Sequence, residues 1–311
     1  MSVGIPLVLV SGFLGAGKTT FLNSIFDNFP DRRFGIIVND FGDLGVDAAE
    51  INAADGRHVS ELNNGQIFCS CLSGSFINSV TDYADLDIDY LLVEASGLAK
   101  PSPLMDIING IKQINGDKFR YYGMISLVDA GSYLELSEVL TAVDEQIAYS
   151  DLVLVNKADT ADAGRLAKTE MKILSVNPEA EVVRTKYGRI SPELFLGLKE
   201  KIVLPRADRR FAGWGSQGRP VPLLFKSEGS LERSELEAFI KSPGGEFYRM
   251  KGRLDTTDGE VFVDCTVNSL ELRNETGKTG VEKGLVIILP ADDNVINSVK
   301  KRAKALFESV V

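Results

Sequence analysis

The chain has 311 residues, 44% of them hydrophobic and 25% charged, and its 34 basic and 44 acidic residues give a formal net charge of −10. This length and apolar content predict two globular domains with full hydrophobic cores. The negative charge argues against sequence-independent binding to nucleic acid, because such binding requires Lys and Arg side chains that replace counterions along the phosphates.

The first predicted element is a buried strand, IPLVLV, at residues 5–10. No basic residue precedes this strand and a glycine-rich loop follows it directly, so a signal peptide is not expected. The sequence contains no run of eighteen apolar residues. A membrane-spanning segment is therefore not expected either.

The glycine-rich loop GFLGAGKT, at residues 12–19, fits the phosphate-loop pattern G-x-x-x-x-G-K-[ST], and an amphipathic helix is predicted after it at residues 19–29. In this pattern, backbone amides and the helix N-terminus bind phosphate oxygens. We expect Lys18 to stabilise charge on the β- and γ-phosphates as a catalytic group, and the Thr19 hydroxyl to bind Mg²⁺. The expected nucleotide contacts are Gly12, Gly15, Ala16, Gly17, Lys18, Thr19 and Thr20. The alternative is a glycine-rich turn without a ligand.

A second predicted strand, FGIIV at residues 34–38, leads into the acidic, glycine-rich segment NDFGDLGVD. Contacts to Mg²⁺ and the γ-phosphate can order a segment of this kind. Asp40 is the first choice for a magnesium-linked carboxylate, with Asp43 and Asp47 behind it. For the latter two, the alternative is a solvated loop acid.

Two of the three cysteines lie close together in ELNNGQIFCSC, at residues 61–71. Three cysteines are too few for a disulfide framework, so we expect a cytoplasmic, reducing location. Cys69 and Cys71 would face the same side of an extended segment, which makes them candidate ligands for a transition metal. Two thiolates do not complete a metal site, so further ligands would have to come from Asp43, His58 or Glu61, from a second subunit, or from a client protein. The alternative is two reduced cysteines packed as small hydrophobic residues, as is expected of Cys265 in the core.

The strand YLLVE at residues 90–94 ends in an acid and is followed by Ala-Ser-Gly. We expect Glu94 to act in catalysis, either by holding Mg²⁺ directly or through water or by orienting the attacking water. Gly97 would offer its amide to the γ-phosphate. The alternative for Glu94 is a surface acid at the end of a strand.

A further strand, LVLV at residues 152–155, is followed by Asn156-Lys157-Ala158-Asp159. The Asp159 carboxylate can accept hydrogen bonds from N1–H and the 2-amino group of guanine, whereas adenine offers neither donor. The motif therefore predicts guanine recognition by Asn156, Lys157 and Asp159. A polar turn in which Asn156 and Asp159 cap the next helix is the alternative, and it leaves Lys157 without a role.

The order of elements predicts an α/β protein. Nearly continuous β-branched runs alternate with helices up to about residue 200, as is typical of a mostly parallel sheet in a P-loop NTPase domain. Residues 201–220 are rich in Gly, Pro and Arg and predict a linker that includes Trp214. Residues 221–311 predict a smaller α+β domain with helices near 231–240 and 293–309.

Together these stretches resemble the CobW-like (cobalamin-synthesis-type) GTPases, relatives of the UreG and HypB GTPases. The matching segments are GFLGAGKTT, VNDFGDLGVD, ELNNG, EASGLAKP and NKAD, and FYRMKGRLDTTDGEVFVDC resembles the small C-terminal domain of that family. The resemblance implies Mg²⁺-dependent GTP hydrolysis to GDP, coupled to delivery of Zn²⁺, Co²⁺ or Ni²⁺ or to assembly of a client metalloprotein. Those proteins usually carry Cys-x-Cys-Cys after the Asn-Gly pair, whereas this chain has Gln66, Ile67, Phe68 and Cys69 there.

Three functions stay open on the sequence. The chain is a GTPase metallochaperone that uses Cys69 and Cys71, a GTP-driven activator or assembly switch for a corrinoid or other metalloprotein that holds no metal itself, or a small-molecule kinase. The guanine motif disfavours the kinase. No arginine finger or water-positioning glutamine is identifiable, so hydrolysis without a partner is expected to be slow. A homodimer also stays open.

Overall fold

The computed structural model describes residues 4–39, 57–62, 73–101, 103–201, 221–226, 229–241, 247–266, 269–274, 283–304, 306–307 and 309–310. Several residues singled out above lie outside these ranges: Asp40, Asp43, Asp47, Cys69, Cys71 and Trp214. The described residues form two compact units, each built on its own sheet.

The first unit contains a seven-stranded sheet in the order β3-β2-β4-β1-β5-β6-β7, in which every neighbouring pair is parallel. Its strands are β1 (Ile5–Gly12), β2 (Phe34–Asn39), β3 (Arg57–Leu62), β4 (Tyr90–Glu94), β5 (Phe119–Asp129), β6 (Leu152–Asn156) and β7 (Glu181–Arg184). The parallel α/β architecture that the sequence predicts is thereby confirmed. Strands β3 and β7, at the two edges of the sheet, were not predicted.

Helices connect the parallel strands, as parallel pairing requires. They are α1 (Lys18–Asn28), α2 (Ser73–Thr81), α3 (Leu104–Asn115), α4 (Tyr133–Val139), α5 (Thr141–Ala148), α6 (Ala163–Val176) and α7 (Pro192–Leu196). The apolar stripe of α1, which includes Phe21, Leu22 and Ile25, is fully buried, as its helical spacing predicts. Helices α2 and α3 pack Phe76 and Ile107 against Leu9 and Val93 of the sheet.

The carboxyl ends of the central strands bring the predicted motifs together. Strand β1 ends at Gly12, its neighbour β4 at Glu94, and β6 at Asn156, which pairs in register with Asp129 of β5. In open parallel sheets, ligands bind at this edge, outside the carboxyl ends of the strands. The fold therefore places the phosphate loop, the acid of β4 and the guanine motif along one edge.

The second unit is an antiparallel sheet in the order β11-β10-β9-β12-β8-β13. Its elements are β8 (Val221–Lys226), α8 (Arg233–Ile240), β9 (Arg249–Thr256), β10 (Gly259–Thr266), β11 (Ser269–Asn274), β12 (Gly284–Leu289), α9 (Asp293–Ala303) and β13 (Ser309–Val310). One face of this sheet and both helices share a core that includes Phe239, Met250, Leu285 and the buried Cys265. The predicted core position of Cys265 agrees with this packing.

The predicted helix at 293–309 is too long. Helix α9 begins at Asp293, where the Asp292 side chain accepts hydrogen bonds from the first-turn amides, and ends at Ala303. The Phe307 ring is buried and packs 5.5 Å from that of Phe225 between ring centroids. Ser309 then pairs with Lys226 at the edge of the sheet. The aromatic contact and the added strand require the chain to leave the helix before residue 307.

No helix in the described part of the chain combines the length and apolar character needed to cross a membrane.

Candidate nucleotide site

The phosphate loop owes its shape to glycines in the left-handed region. Gly12 has φ 137° and Gly17 has φ 101°. A Cβ atom at Gly12 would lie 2.4 Å from the Leu127 carbonyl oxygen, and one at Gly17 would lie 2.4 Å from Nδ2 of Asn156. Both backbone angle and space therefore require glycine. Gly17 is the N-cap of α1 and makes no side-chain cap, and a helix N-terminus of this kind can bind an anion.

Lys18 is held at the base of this loop. Its side chain is 6% exposed, and Nζ donates a hydrogen bond to the Gly12 carbonyl oxygen at 3.0 Å. Nζ also lies 4.0 Å from Oε1 of Glu94, which is equally buried. The ammonium group thus lies between the carbonyl group of Gly12 and an acid. A buried cation in this position can neutralise charge on a transferred phosphoryl group.

The segment after β4 packs directly on the phosphate loop. The Ala95 amide donates to the Val10 carbonyl oxygen at 2.8 Å, which fixes Glu94 beside the end of β1. A Cβ atom at Gly97 would lie 2.7 Å from the Leu14 backbone nitrogen, so only glycine permits this approach. Glu94 and Gly97, predicted from sequence as a pair, are both within the site, and Glu94 is buried and not a surface acid.

Gln146 of α5 is a site residue that the sequence did not indicate. It is 1% exposed, and its Nε2 donates to the carbonyl oxygens of Gly97 at 3.1 Å and Ala99 at 3.0 Å. These two bonds hold the turn that follows Glu94. Burial lowers the pKa of the neighbouring Lys100, whose Nζ donates to Oγ1 of Thr141 at 3.4 Å.

Asn156 ties the guanine motif to the phosphate loop. It is 1% exposed, and its Nδ2 donates to the Ala16 carbonyl oxygen at 2.8 Å. Its Oδ1 accepts from the Gly188 amide at 2.9 Å. One amide side chain thus joins the loop after β1 with the loop after β7. The proposed alternative, in which Asn156 and Asp159 cap the next helix, is wrong, because Asp162 caps α6 by accepting from the Arg165 amide.

Lys157 and Asp159 make ion pairs at the outer part of the site. Lys157 adopts a left-handed conformation with φ 56°, and its Nζ donates to Oδ2 of Asp129 at 2.8 Å. The Asp159 carboxylate is 37% exposed and lies 3.3 Å from Nζ of Lys186. Asp159 is thus accessible and paired with an exposed lysine, as is expected of a carboxylate that is predicted to receive a base.

The loop at residues 185–190 completes the site and was not predicted. The Thr185 amide donates to the Val155 carbonyl oxygen at 2.9 Å, and the Thr185 carbonyl oxygen accepts from the Ala158 amide at 3.1 Å. Ser24 Oγ of α1 donates to the Gly188 carbonyl oxygen at 3.2 Å. The loop is therefore fixed to β6, to the guanine motif and to the helix that follows the phosphate loop.

Of the remaining predicted residues, two threonines lie on α1 and three metal-ligand candidates lie outside the described residues. Thr19 is half-buried and Thr20 is exposed, both in the first turn of α1. The hydroxyl of Thr19 and the carboxylate of Glu94 are oxygen ligands of the kind that Mg²⁺ prefers. The predicted ligands Asp40, Cys69 and Cys71 lie outside the described residues, and within those residues no cluster of three or more His, Cys, Asp or Glu side chains is suited to a metal ion.

A phosphate loop between a buried strand and a helix, at the carboxyl edge of a parallel sheet, defines a P-loop nucleotide-binding protein. Residues 6–184 match the family model described as CobW/HypB/UreG, nucleotide-binding domain. The chain belongs to the CobW/HypB/UreG family.

Two curated relatives illustrate the similarity. The zinc chaperone YjiA of Escherichia coli is 30% identical over 271 residues, which are 82% of this chain and 83% of that protein. The zinc chaperone CobW of Pseudomonas aeruginosa is 32% identical over 234 residues, 64% of this chain and 61% of that protein. The chain thus spans less than two thirds of the CobW relatives that it matches. Among solved structures, that of Zn(II)-bound YjiA GTPase from E. coli aligns with this chain at 20% sequence identity and a TM-score of 0.47. The alignment covers 97% of this chain and 99% of the YjiA chain.

Proposed function

We propose that this protein binds GTP and GDP, hydrolyses GTP with Mg²⁺, and uses this cycle to deliver a metal ion to a client metalloprotein or to assemble its metal centre. The observation that carries the proposal is the bridge made by Asn156, which holds the Asn-Lys-Ala-Asp motif against the phosphate loop through the 2.8 Å bond to Ala16. A base bound at Asp159 and phosphates bound at Gly12–Gly17 would then belong to one nucleotide.

Guanine selectivity rests on Asp159. A carboxylate accepts from both N1–H and the 2-amino group of guanine, whereas with adenine it would lose both partners. The side chain is 37% exposed, so a base can approach it. This chemistry disfavours the small-molecule kinase, which would require ATP.

Hydrolysis would depend on positioning and charge. Lys18 supplies a buried cation next to the phosphate loop, and Glu94 supplies a buried acid 4.0 Å from it. Bound Mg²⁺ would neutralise phosphate charge, held by Thr19 and Glu94, with Asp40 as a further candidate. Gln146 donates from Nε2 to two carbonyl oxygens, so we assign it the role of holding the turn and not that of orienting water. We expect slow turnover that a partner or a bound metal accelerates.

The catalytic roles are tested by phosphate release from GTP under single-turnover conditions. Lys18→Ala and Glu94→Gln are each expected to lower the rate by at least about tenfold, while the surface change Lys241→Ala leaves it unchanged. Wild-type rates in both site variants would contradict the assignment. GDP binding, measured in parallel, separates loss of chemistry from loss of the nucleotide.

The metal-handling role is supported by the family and by its relatives, which include the zinc chaperones above and zinc-regulated GTPase metalloprotein activator 1 of Saccharomyces cerevisiae. A GTP-driven activator that holds no metal itself is the second candidate, since this chain has Gln66, Ile67 and Phe68 where the family usually places a Cys-rich motif.

Equilibrium dialysis separates these two candidates. Wild type and Cys69→Ser/Cys71→Ser are dialysed against Zn²⁺, Co²⁺ and Ni²⁺, with Cys265→Ser as the matched control. Stoichiometric binding that is lost only in the double variant selects the metallochaperone. No stoichiometric binding by wild type selects the activator, whereas equal binding by all three proteins would place the bound metal on residues other than these cysteines.

A further inference from the structure

The loop after β7 makes a tight turn with an unusual residue at its tip. The Arg189 amide donates to the Lys186 carbonyl oxygen at 3.2 Å, and the two residues between them, Tyr187 and Gly188, have φ 56° and 64°. A four-residue turn with two left-handed central residues is a type I′ turn. Such turns strongly favour Asn, Asp or Gly at the first central position, where this chain has tyrosine.

A left-handed bulky residue is a genuine backbone outlier, and outliers of this kind persist where the surroundings hold them and cluster at ligand sites. Here the surroundings are rigid. Gly188 donates its amide to Asn156 and accepts from Ser24, and a Cβ atom on it would lie 2.7 Å from the Phe21 Cα. The turn thereby packs against the first helix, and the contacts of Gly188 hold the backbone next to Tyr187 in place.

The Tyr187 ring gains no buried contact in return for this strain. It is 59% exposed, which makes it one of the few large apolar side chains on the surface of the described residues. It is not remote from the site, however. Nζ of Lys186 lies 5.2 Å from the centre of the ring and 3.3 Å from Oδ2 of Asp159. One ammonium group thus contacts both the exposed ring and the carboxylate that selects the base.

We propose that Tyr187 is the stacking platform for the nucleotide base, an inference that rests on the proposed guanine site and adds a residue to it. The purine edge would meet Asp159 while its face lies on the tyrosine ring. Stacking on an aromatic ring accepts any base, because every base has a π-face. Tyr187 would therefore supply affinity, whereas Asp159 supplies the choice of guanine.

The test uses two substitutions in the full chain. Tyr187→Asn removes the ring and places a residue that type I′ turns favour, so the fold is retained or stabilised. Tyr187→Phe keeps the ring and removes only the hydroxyl. Affinities for GDP and for inorganic triphosphate are measured by titration calorimetry, together with Tm.

We expect Tyr187→Asn to weaken GDP binding by about 5- to 150-fold, the range that base–aromatic stacking gives. Its triphosphate affinity stays at the wild-type value and its Tm is equal or higher. Tyr187→Phe binds GDP as wild type does. Unchanged GDP affinity in the Asn variant, or an equal loss of triphosphate affinity, would overturn the platform.

Comparison of ADP and GDP binding by wild type tests the guanine site separately from the stacking platform. A wild-type protein that prefers ADP over GDP contradicts the role of Asp159. The platform still stands in that case if Tyr187→Asn weakens ADP binding, and it falls if ADP binding is unchanged.

Discussion

At the scale of single residues, the candidate site combines one exposed carboxylate, which we propose selects the base, with buried supporting groups. Asp159 is accessible and paired with Lys186, whereas Asn156, Lys18 and Glu94 are buried. This division follows from their tasks. A group that recognises a base must be reachable, while groups that shape the phosphate loop act best in a fixed, low-dielectric environment.

Exchanging the selector predicts a change of base. Asp159→Asn replaces one acceptor by an amide donor, which meets the 2-amino group of guanine unfavourably but matches the 2-oxo group of xanthine. We expect GDP affinity to fall by about 100-fold or more and XDP affinity to exceed it. The exposed Asp258→Asn serves as the control of equal charge. Calorimetry that finds unchanged GDP binding would refute the assignment.

The buried Cys265 thiol is expected to be unreactive in the folded protein and reactive after unfolding. Burial raises its pKa to about 11, so the unreactive thiol form persists in the folded protein at neutral and mildly alkaline pH. In Cys69→Ser/Cys71→Ser, the only cysteine left is expected to react with Ellman's reagent at pH 8 only after urea is added. Rapid reaction of the folded variant would contradict the buried position. Because the folded pKa is raised, this group stabilises the fold fully below pH 9 and loses that effect as pH rises through 11.

At the scale of elements, the turn after β4 depends on α5. Gln146 reaches from this helix to the carbonyl oxygens of Gly97 and Ala99, and Ser150 Oγ donates to the carbonyl oxygen of Gln146 at 2.7 Å. A helix remote in sequence thus sets the position of the segment that is expected to meet the γ-phosphate.

Gln146→Leu is expected to separate hydrolysis from GDP binding. It leaves two buried carbonyl groups without their donor and lowers the free energy of unfolding by about 1–3 kcal/mol. Because the misplaced turn is expected to face only the γ-phosphate, kcat should fall about tenfold or more while GDP affinity stays near the wild-type value. The exposed Gln113→Leu on α3 is the matched control. An equal loss of GDP affinity would argue that Gln146 supports the whole loop instead.

The sequence predicted the elements that carry a strong local pattern. The central strands are nearly continuous apolar runs, and both faces of such strands are buried. The edge strands β3 (RHVSEL) and β7 (EVVR) each have a neighbour on one side only. Their sequences are polar or short and lack the continuous apolar run by which the central strands were predicted. Strand β9 escaped prediction for another reason: its Lys251 and Arg253 are buried, with their cationic groups 5.8 and 5.0 Å from the centre of the Phe262 ring.

The candidate site divides in the same way. The phosphate loop, Glu94, Gly97 and the guanine motif have fixed spacings, so the sequence alone predicts them. The structure brings them to one edge of the sheet, and their roles in binding stay predictions. Gln146 and the 185–190 loop act through hydrogen bonds to backbone groups that are distant in sequence, and such contacts impose no local pattern. Tyr187 is marked by its backbone angle, its exposure and its contact with Lys186, and none of these leaves a pattern in the amino-acid sequence.

At the scale of the whole molecule, the two sheets are separate in their hydrogen bonding. Within the described residues, no strand of the seven-stranded sheet pairs with the antiparallel one. The Lys201 amide still donates to Tyr121 O at 2.7 Å, so the first unit extends at least to that residue. The phosphate loop, Glu94 and the guanine motif all belong to this unit.

A fragment of residues 1–201 is therefore expected to fold and to bind GDP with an affinity close to that of the full chain. Circular dichroism reports its helices and cooperative melting, and calorimetry reports binding. The Asp159→Asn fragment controls for specific binding. An aggregated or unfolded fragment would show that the antiparallel unit is required for the first to fold.

We propose that one pocket holds both ends of the nucleotide, with the phosphates at the glycine loop and the guanine at Asp159. Titration calorimetry of the full chain with GDP and ADP, each with Mg²⁺, tests it most directly. We expect saturable, stoichiometric GDP binding that is at least about 100-fold tighter than ADP binding. Equal affinities, or no heat with GDP at millimolar concentration, would contradict it.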